Sequence, residues 1–123
     1  MSIWVKHDID QIKDLSCPFL SKFYLNKDEL YLDFCFEDSE KKLRLHFEHH
    51  IFFRKIYEGF ALNTLNVSDF HNKTRLFSTS QSSLIDWFDQ QSNMLFKGTY
   101  KHYVITSQDD VIEVLARNPP KVL

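Results

Sequence analysis

The sequence predicts an α+β fold in which an antiparallel sheet of about five or six strands packs against one or two short helices. Hydrophobic residues recur at every second position in several short runs, and two other segments have helical spacing. The pattern has no alternating helices of crossover length, which a parallel sheet would require. No repeat or linker divides the 123 residues, so residues 1–123 are expected to form a single α+β domain.

The first predicted element is a short helix or a single helical turn near the N-terminus. Ile9, Ile12 and Leu15 recur at helical spacing. Asp8 precedes them as a helix cap, and Pro18 ends the pattern.

A β-hairpin is predicted next. Residues 30–37, LYLDFCFE, alternate between apolar and more polar positions, and the alternation resumes in LRLHF at 43–47. The intervening DSEKK at 38–42 is a polar turn. The two runs are therefore expected to pair.

The same alternation continues beyond the hairpin through residues 51–57. It predicts either one long strand or two strands separated by a bulge near His49 and His50. FALNTLN at 60–66 and TRLFSTS at 74–80 are each short enough for an irregular strand.

An amphipathic helix and a second hairpin are predicted in the C-terminal half. In SSLIDWFDQQS, either serine can cap the helix, Asp86 completes a capping box with Ser83, and the apolar stripe includes Trp87. The β-rich runs YKHYVITS and VIEVLA are joined by QDD, and the two prolines that follow Asn118 stop the last strand.

One polar pattern invites a chemical interpretation. If the run from 43 to 54 presents one face to the core, its other face carries Arg44, His46, Glu48, His50, Phe52 and Arg54. His46 and Glu48 could then bind a metal ion with a third ligand from His102 or His71, provided that the strand of His102 pairs beside them. His46 and His50 could instead act as acid and base around Arg54, as in a metal-free ribonuclease site. A half-solvated strand without a chemical role shows the same pattern.

Signatures of the common enzyme classes are missing. The sequence has no GxSxG, no HExxH, no glycine-rich phosphate loop and only two glycines. Cys17 and Cys35 do not form a CxxC motif and are expected to be reduced and buried. We therefore expect a protein that is not an enzyme and that binds no metal and no cofactor.

The net charge and the N-terminal sequence argue against nucleic acid and membranes as partners of this protein. The net charge of −2 provides no basic field for nucleic acid. The first residues contain neither a signal peptide nor a membrane span, so a cytoplasmic protein without membrane contact is expected. No small-molecule substrate is expected.

A protein partner is expected to meet carboxylates on the second helix and the last hairpin, together with aromatic side chains that break the core pattern. The same carboxylates could instead only keep the surface soluble. The predicted partner-binding residues are Asp86, Asp89, Asp109, Asp110, Glu113, Phe52 and Tyr103.

Taken in succession, LYLDFCFE, LRLHFEHHIFFRKIYEG, SSLIDWFDQQS and KHYVITSQDDVIEVLARNPPKV resemble a layout found among small immunity proteins of bacterial polymorphic toxin and contact-dependent growth-inhibition systems. The resemblance covers about residues 30–122 and includes Arg54 and Glu58 on a strand and Trp87 on a helix. It also includes the terminal HYxI and IEV runs and a closing proline.

The resemblance implies stoichiometric binding of a toxin domain, usually a nuclease, whose active site or substrate surface would be blocked. We therefore expect an immunity protein. One alternative is a small metal-dependent or histidine-based nuclease that uses His46, Glu48, His50 and His102. Another is a structural subunit of a permanent complex.

Overall fold

The alternating segments fold into two antiparallel sheets rather than into one. A computed structural model of the chain describes residues 4–12, 15, 17–57 and 75–123. The strands in this part are β1 Val5–His7, β2 Phe19–Asn26, β3 Glu29–Phe36, β4 Ser39–Phe47, β5 His50–Tyr57, β6 Leu76–Thr79, β7 Lys101–Thr106, β8 Asp110–Ala116 and β9 Lys121–Val122. A 3-10 turn covers Asp10–Ile12, and the helix α1 covers Ser83–Gln91.

Within the described residues, one sheet has five strands in the order β1-β6-β7-β8-β5, and the other has four in the order β2-β3-β4-β9. The protein is therefore mostly antiparallel β with one α-helix in the described residues, which confirms the α+β prediction in its broad form. The predicted single sheet of five or six strands is wrong. Period-two patterning shows which side of a strand is buried, but it does not show which strands share a sheet.

The main hydrophobic core lies between the two sheets. Both sheets contribute their apolar faces to it, because each alternating strand must remove that face from water. The buried side chains of this cluster are Ile9, Ile12, Leu30, Leu32, Phe34, Phe36, Leu43, Leu45, Phe47, Leu76, Tyr103, Ile105, Ile112, Val114 and Ala116.

Consecutive strands β4 and β5 belong to different sheets. Residues 48 and 49 form the turn between them, and the His50 N–H donates to the Asp28 carbonyl over 3.0 Å. Phe47 and Phe53, on either side of this turn, both pack against the same core. Of the two predicted alternatives, the one with two strands is confirmed, but the strands are separated by a turn that changes sheet rather than by a bulge within one sheet.

This change of sheet overturns the polar face predicted for residues 44–54. Each half of the run keeps its apolar side chains towards the shared core, so its polar side chains point outwards from its own sheet. Arg44 and His46 consequently lie on the outer face of the four-stranded sheet, whereas Phe52 and Arg54 lie on the outer face of the five-stranded sheet.

Both predicted hairpins are present. Strand β3 pairs with β4, and β7 pairs with β8. Strands β1, β2 and β9 were not predicted. The signal for β2 was the apolar run FLSKFYL before the turn at Lys27, where φ is +58°.

The helix α1 packs on the outer face of the five-stranded sheet through Leu84, Ile85 and Phe88. The Ser82 hydroxyl accepts from the Ile85 N–H at 3.2 Å and so caps the helix. Trp87, predicted to belong to the buried stripe, is 45% exposed. It lies at the border of the buried face, because successive helical residues are rotated by about 100°.

The N-terminal helical segment is shorter than a helix of several turns. Ile9 and Ile12 are buried at the 3-10 turn, as their spacing predicted. Cys17 and Cys35 are not joined in a disulfide and are only partly buried, which corrects the expectation of burial. FALNTLN, Glu58 and His71 lie outside the described residues.

In the ranges that the structure describes, no helix has the length and apolarity needed to cross a membrane.

Candidate functional site

The polar residues on the outer face of the four-stranded sheet are held by one another. Arg44 donates from Nε and Nη2 to the two carboxylate oxygens of Asp33, over 2.7 and 3.0 Å. His46 stacks on Tyr31 with ring centroids 4.3 Å apart, and its Nε2 lies 3.0 Å from a Glu29 carboxylate oxygen. These contacts make an ordered, partly solvated sheet face.

The four residues of the alternative nuclease site are not brought together. Glu48 pairs with Lys121, and the His50 Nδ1–H donates to the Asp28 carbonyl at 2.6 Å. His102 lies on β7 in the other sheet, and β7 pairs with β6 and β8 rather than with β4. Across the described part of the chain, no three His, Cys, Asp or Glu side chains are grouped to hold a metal ion.

Arg54, His102 and Glu113 do converge, on the outer face of the five-stranded sheet beneath α1. Glu113 on β8 lies directly opposite Arg54 on β5 in the strand register. One of its carboxylate oxygens accepts from Arg54 Nε, and the other lies 2.9 Å from His102 Nε2. Ser82 extends the chain, with its hydroxyl 2.8 Å from His102 Nδ1. We call Ser82, His102, Glu113 and Arg54 the buried polar chain.

In the buried polar chain, the positions of the protons depend on which groups can only accept a hydrogen bond. An ionised Glu113 carboxylate has no proton to give, so His102 Nε2 must carry one and donate it. His102 Nδ1 accepts from the Ser82 hydroxyl when the imidazole is neutral and donates to it when the imidazole is protonated. Because that hydroxyl also accepts from the Ile85 N–H, it is occupied in holding the start of α1.

Glu113 is the central charge of the buried polar chain, with only 2% of its surface exposed. Burial by itself would raise the pKa of its carboxyl. The hydrogen bonds and charges of His102 and Arg54 outweigh that effect and hold the pKa of Glu113 below its ordinary value. Glu113 is therefore an anion that fixes the position of two neighbouring donors.

An open cleft adjoins the exposed end of this chain. It has a volume of about 360 Å³ and is lined by Phe52, Arg54, Ser83, Leu84 and Trp87, which together we call the aromatic cleft. The rings of Phe52 and Trp87 meet edge to face, with centroids 5.4 Å apart. The Arg54 side chain is 41% exposed, so a guanidinium anchored from below through Nε is presented beside two aromatic rings.

The residues predicted to bind a partner are divided between surface and interior. Asp86 and Asp109 are exposed, and Phe52 lines the aromatic cleft. Asp110 is half-buried and pairs with Lys55 at 3.3 Å. Contact by these four residues stays a prediction.

Three other predicted contact residues are buried. Asp89 accepts from the Tyr100 hydroxyl at 2.6 Å, Tyr103 is in the core between the sheets, and Glu113 is in the buried polar chain. Their burial removes them from the accessible surface, so we do not include them in the proposed interface. For Tyr103 and Glu113 the reason is that β7 and β8 are central strands covered on both faces, which alternation alone does not reveal. Asp89 lies on α1 and is buried against Tyr100.

The sequence predicted Ser82 as one of two possible helix caps, which is confirmed, but it did not predict that Ser82 also contacts His102 or that Arg54 pairs with Glu113. One signal was present, since Glu113 is the one charged residue in the apolar run VIEVLA. A carboxylate inside a fully buried strand requires a cation or several donors beside it. The identity of those donors depends on the pairing of β5 with β8, which only the fold defines.

Comparisons with protein-family models, with curated proteins and with solved structures found no match to this chain.

Proposed function

We propose that this protein is an immunity protein that binds a toxin domain, a nuclease, through a surface centred on the aromatic cleft. The observation that carries the proposal is the half-exposed Trp87 beside Arg54, whose guanidinium is anchored by the buried Glu113. The resemblance of the sequence layout to bacterial immunity proteins supplies the class of partner.

Tryptophan and arginine are the residue types that most often dominate the energy of protein interfaces. Arg54 also loses less conformational entropy on binding than a free arginine would, because Glu113 already holds its Nε. A rigid cation flanked by Trp87 and Phe52 is suited to receive a side chain or a main-chain carbonyl of a partner.

Two further apolar side chains and one carboxylate are exposed on α1 and the turn that follows it. Met94 and Leu95, in the turn that follows α1, are exposed, and Leu95 reaches 78%. Asp86 is exposed next to Trp87 on the helix. A carboxylate at the rim of an apolar contact favours a basic partner, and a protein that binds nucleic acid has such a surface.

The geometry does not favour the alternative nuclease. His46 is on the outer face of the four-stranded sheet, and Glu48 follows it in the turn, paired with Lys121. His50 begins β5 and is held by the Asp28 carbonyl, whereas His102 is buried on the outer face of the five-stranded sheet. Stacked sheets are about 10 Å apart, so side chains on the two outer faces cannot share a substrate.

The immunity function predicts that a large toxin gene lies immediately upstream of this protein's gene, and the decisive experiment uses the toxin domain of that neighbour. We expect the full chain to protect cells that express that domain and to bind it with one-to-one stoichiometry in calorimetry. Trp87→Ala should weaken the affinity at least about tenfold, because truncation of an interface anchor costs more than about 1 kcal/mol.

Leu25→Ala is the matched control, since Leu25 is also an exposed apolar side chain but lies on β2 of the other sheet. It should leave both affinity and protection unchanged. Failure of the full chain to bind the domain or to protect cells would overturn the immunity function. Equal losses for the two variants would overturn only the placement at the aromatic cleft.

A further inference from the structure

A second cavity lies on the opposite side of α1 from the aromatic cleft. The aromatic cleft uses Ser83, Leu84 and Trp87 of the helix, whereas this cavity uses Ile85, Asp86 and Asp89. At about 100° per residue these two sets project from opposite sides of the helix. The cavity has a volume of about 430 Å³, within the usual range for sites that hold small molecules.

Three cationic residues line this space, which we call the basic cavity. Lys97 comes from the turn after α1, Lys101 begins β7, and Arg117 follows β8. Five other lysines and arginines form ion pairs with carboxylates, but these three form none within the described ranges. Arg117 is positioned instead by the Phe96 ring, with its guanidinium carbon 6.0 Å from the ring centroid.

Asp86 and Asp89 also line the cavity, so its three cations and two carboxylates leave a formal excess of one positive charge, which a bound anion can neutralise. We propose that the basic cavity binds a small phosphate monoester. Such a group carries a charge of about −1.5 to −2 near neutral pH, so it matches several cations better than a single carboxylate does. This inference goes beyond the proposed immunity function, because the three cations on which it rests do not line the aromatic cleft.

The remaining lining residues indicate what the rest of the ligand must offer. Asp89 is buried, and one of its carboxylate oxygens accepts from the Tyr100 hydroxyl at 2.6 Å. A carboxylate can accept several hydrogen bonds, so Asp89 can also receive a hydroxyl or amino group of a ligand. Ile85 and Tyr100 supply an apolar wall. The ligand is therefore an organic phosphate with hydrogen-bond donors, such as a sugar phosphate.

The test titrates ribose 5-phosphate, ribose and inorganic phosphate into the full chain at low salt, by calorimetry and by amide NMR. We expect saturable binding of ribose 5-phosphate, weaker binding of inorganic phosphate and none of ribose. The Gly98 amide should shift on binding, because Gly98 lines the cavity. Higher salt should weaken the affinity, because exposed cations are screened.

The double variant Lys97→Gln/Arg117→Gln should reduce the affinity for ribose 5-phosphate at least tenfold. Lys41→Gln/Lys42→Gln removes the same charge from exposed positions on β4 and should leave the affinity unchanged. Asp89→Asn should weaken ribose 5-phosphate but not inorganic phosphate. Absence of saturable binding to the unmodified chain, or equal losses for the two double variants, would overturn the proposal.

Discussion

His46 and Arg54 lie on opposite outer faces of the β-sandwich, although they have the same parity in one alternating run of sequence. The turn at residues 48 and 49 takes the chain from the four-stranded sheet to the five-stranded sheet between them. His46 consequently meets Tyr31 and Glu29, whereas Arg54 meets Glu113. One strip of polar residues is thereby divided into a solvated sheet face and one end of a buried polar chain.

Substitutions within the buried polar chain should be energetically coupled to one another, whereas substitutions on opposite outer faces should be independent. We expect Glu113→Gln and His102→Gln to be non-additive by about 0.5 to 3 kcal/mol, because both act on one hydrogen bond in the interior. Glu113→Gln and His46→Gln should add to within about 0.5 kcal/mol, because the two side chains share no partner. Free energies of unfolding from urea titrations of the single and double variants measure both couplings. Strong coupling between His46 and Glu113 would contradict the two-sheet arrangement.

Stability should depend on the ionisation of Glu113. Its pKa in the folded protein is held below the ordinary value, so in acid the unfolded chain binds a proton more readily than the folded one. The free energy of unfolding should therefore decrease as the pH falls from about 5 through the pKa of the folded state. Urea midpoints measured at several pH values should decrease more steeply for the wild type than for Glu113→Gln. The exposed Glu40→Gln is the control and should keep the wild-type slope.

Ser82, rather than Ser83, should determine the stability of α1. Ser82→Ala removes the acceptor for the Ile85 N–H and the hydroxyl beside His102, so we expect a loss of about 1 to 2 kcal/mol. Ser83→Ala, one position later and exposed, should change the free energy of unfolding by less than about 0.5 kcal/mol. Thermal or urea unfolding followed by circular dichroism compares the two. A larger loss of stability for Ser83→Ala than for Ser82→Ala would show that Ser82 is not the residue that caps α1.

The Tyr100 hydroxyl should contribute more to the free energy of unfolding than the hydroxyl of a surface tyrosine does. Burial, together with the hydrogen bond to Asp89, raises the pKa of Tyr100, so the hydroxyl stays a donor across the neutral range. Tyr100→Phe leaves a buried carboxylate without this donor, and we expect a loss of about 1 to 3 kcal/mol. Tyr24→Phe is the matched control, because Tyr24 is exposed on β2 and no hydrogen bond of its hydroxyl occurs within the described part. Equal urea midpoints for the two variants would argue against the Asp89 contact.

The local sequence pattern was sufficient to predict those elements whose residues are close together in the sequence. The alternation in LYLDFCFE and LRLHF predicted the β3 and β4 hairpin, and the capped stripe in SSLIDWFDQQS predicted α1. The candidate site could not be predicted from local sequence pattern in the same way. Glu113 was expected on the surface, because nothing near it in sequence shows that β8 has β7 on one side and β5 on the other.

The sequence by itself determined which side of each alternating strand would be apolar, where the main hairpins and α1 would form, and that Glu113 would stand alone among hydrophobic neighbours. Only the tertiary structure decided that these strands form two sheets and that Arg54 and His102 reach Glu113. The physical reason is that alternation reports the exposure of each strand separately. The pairing of strands distant in sequence depends instead on burying all their apolar faces in one shared core.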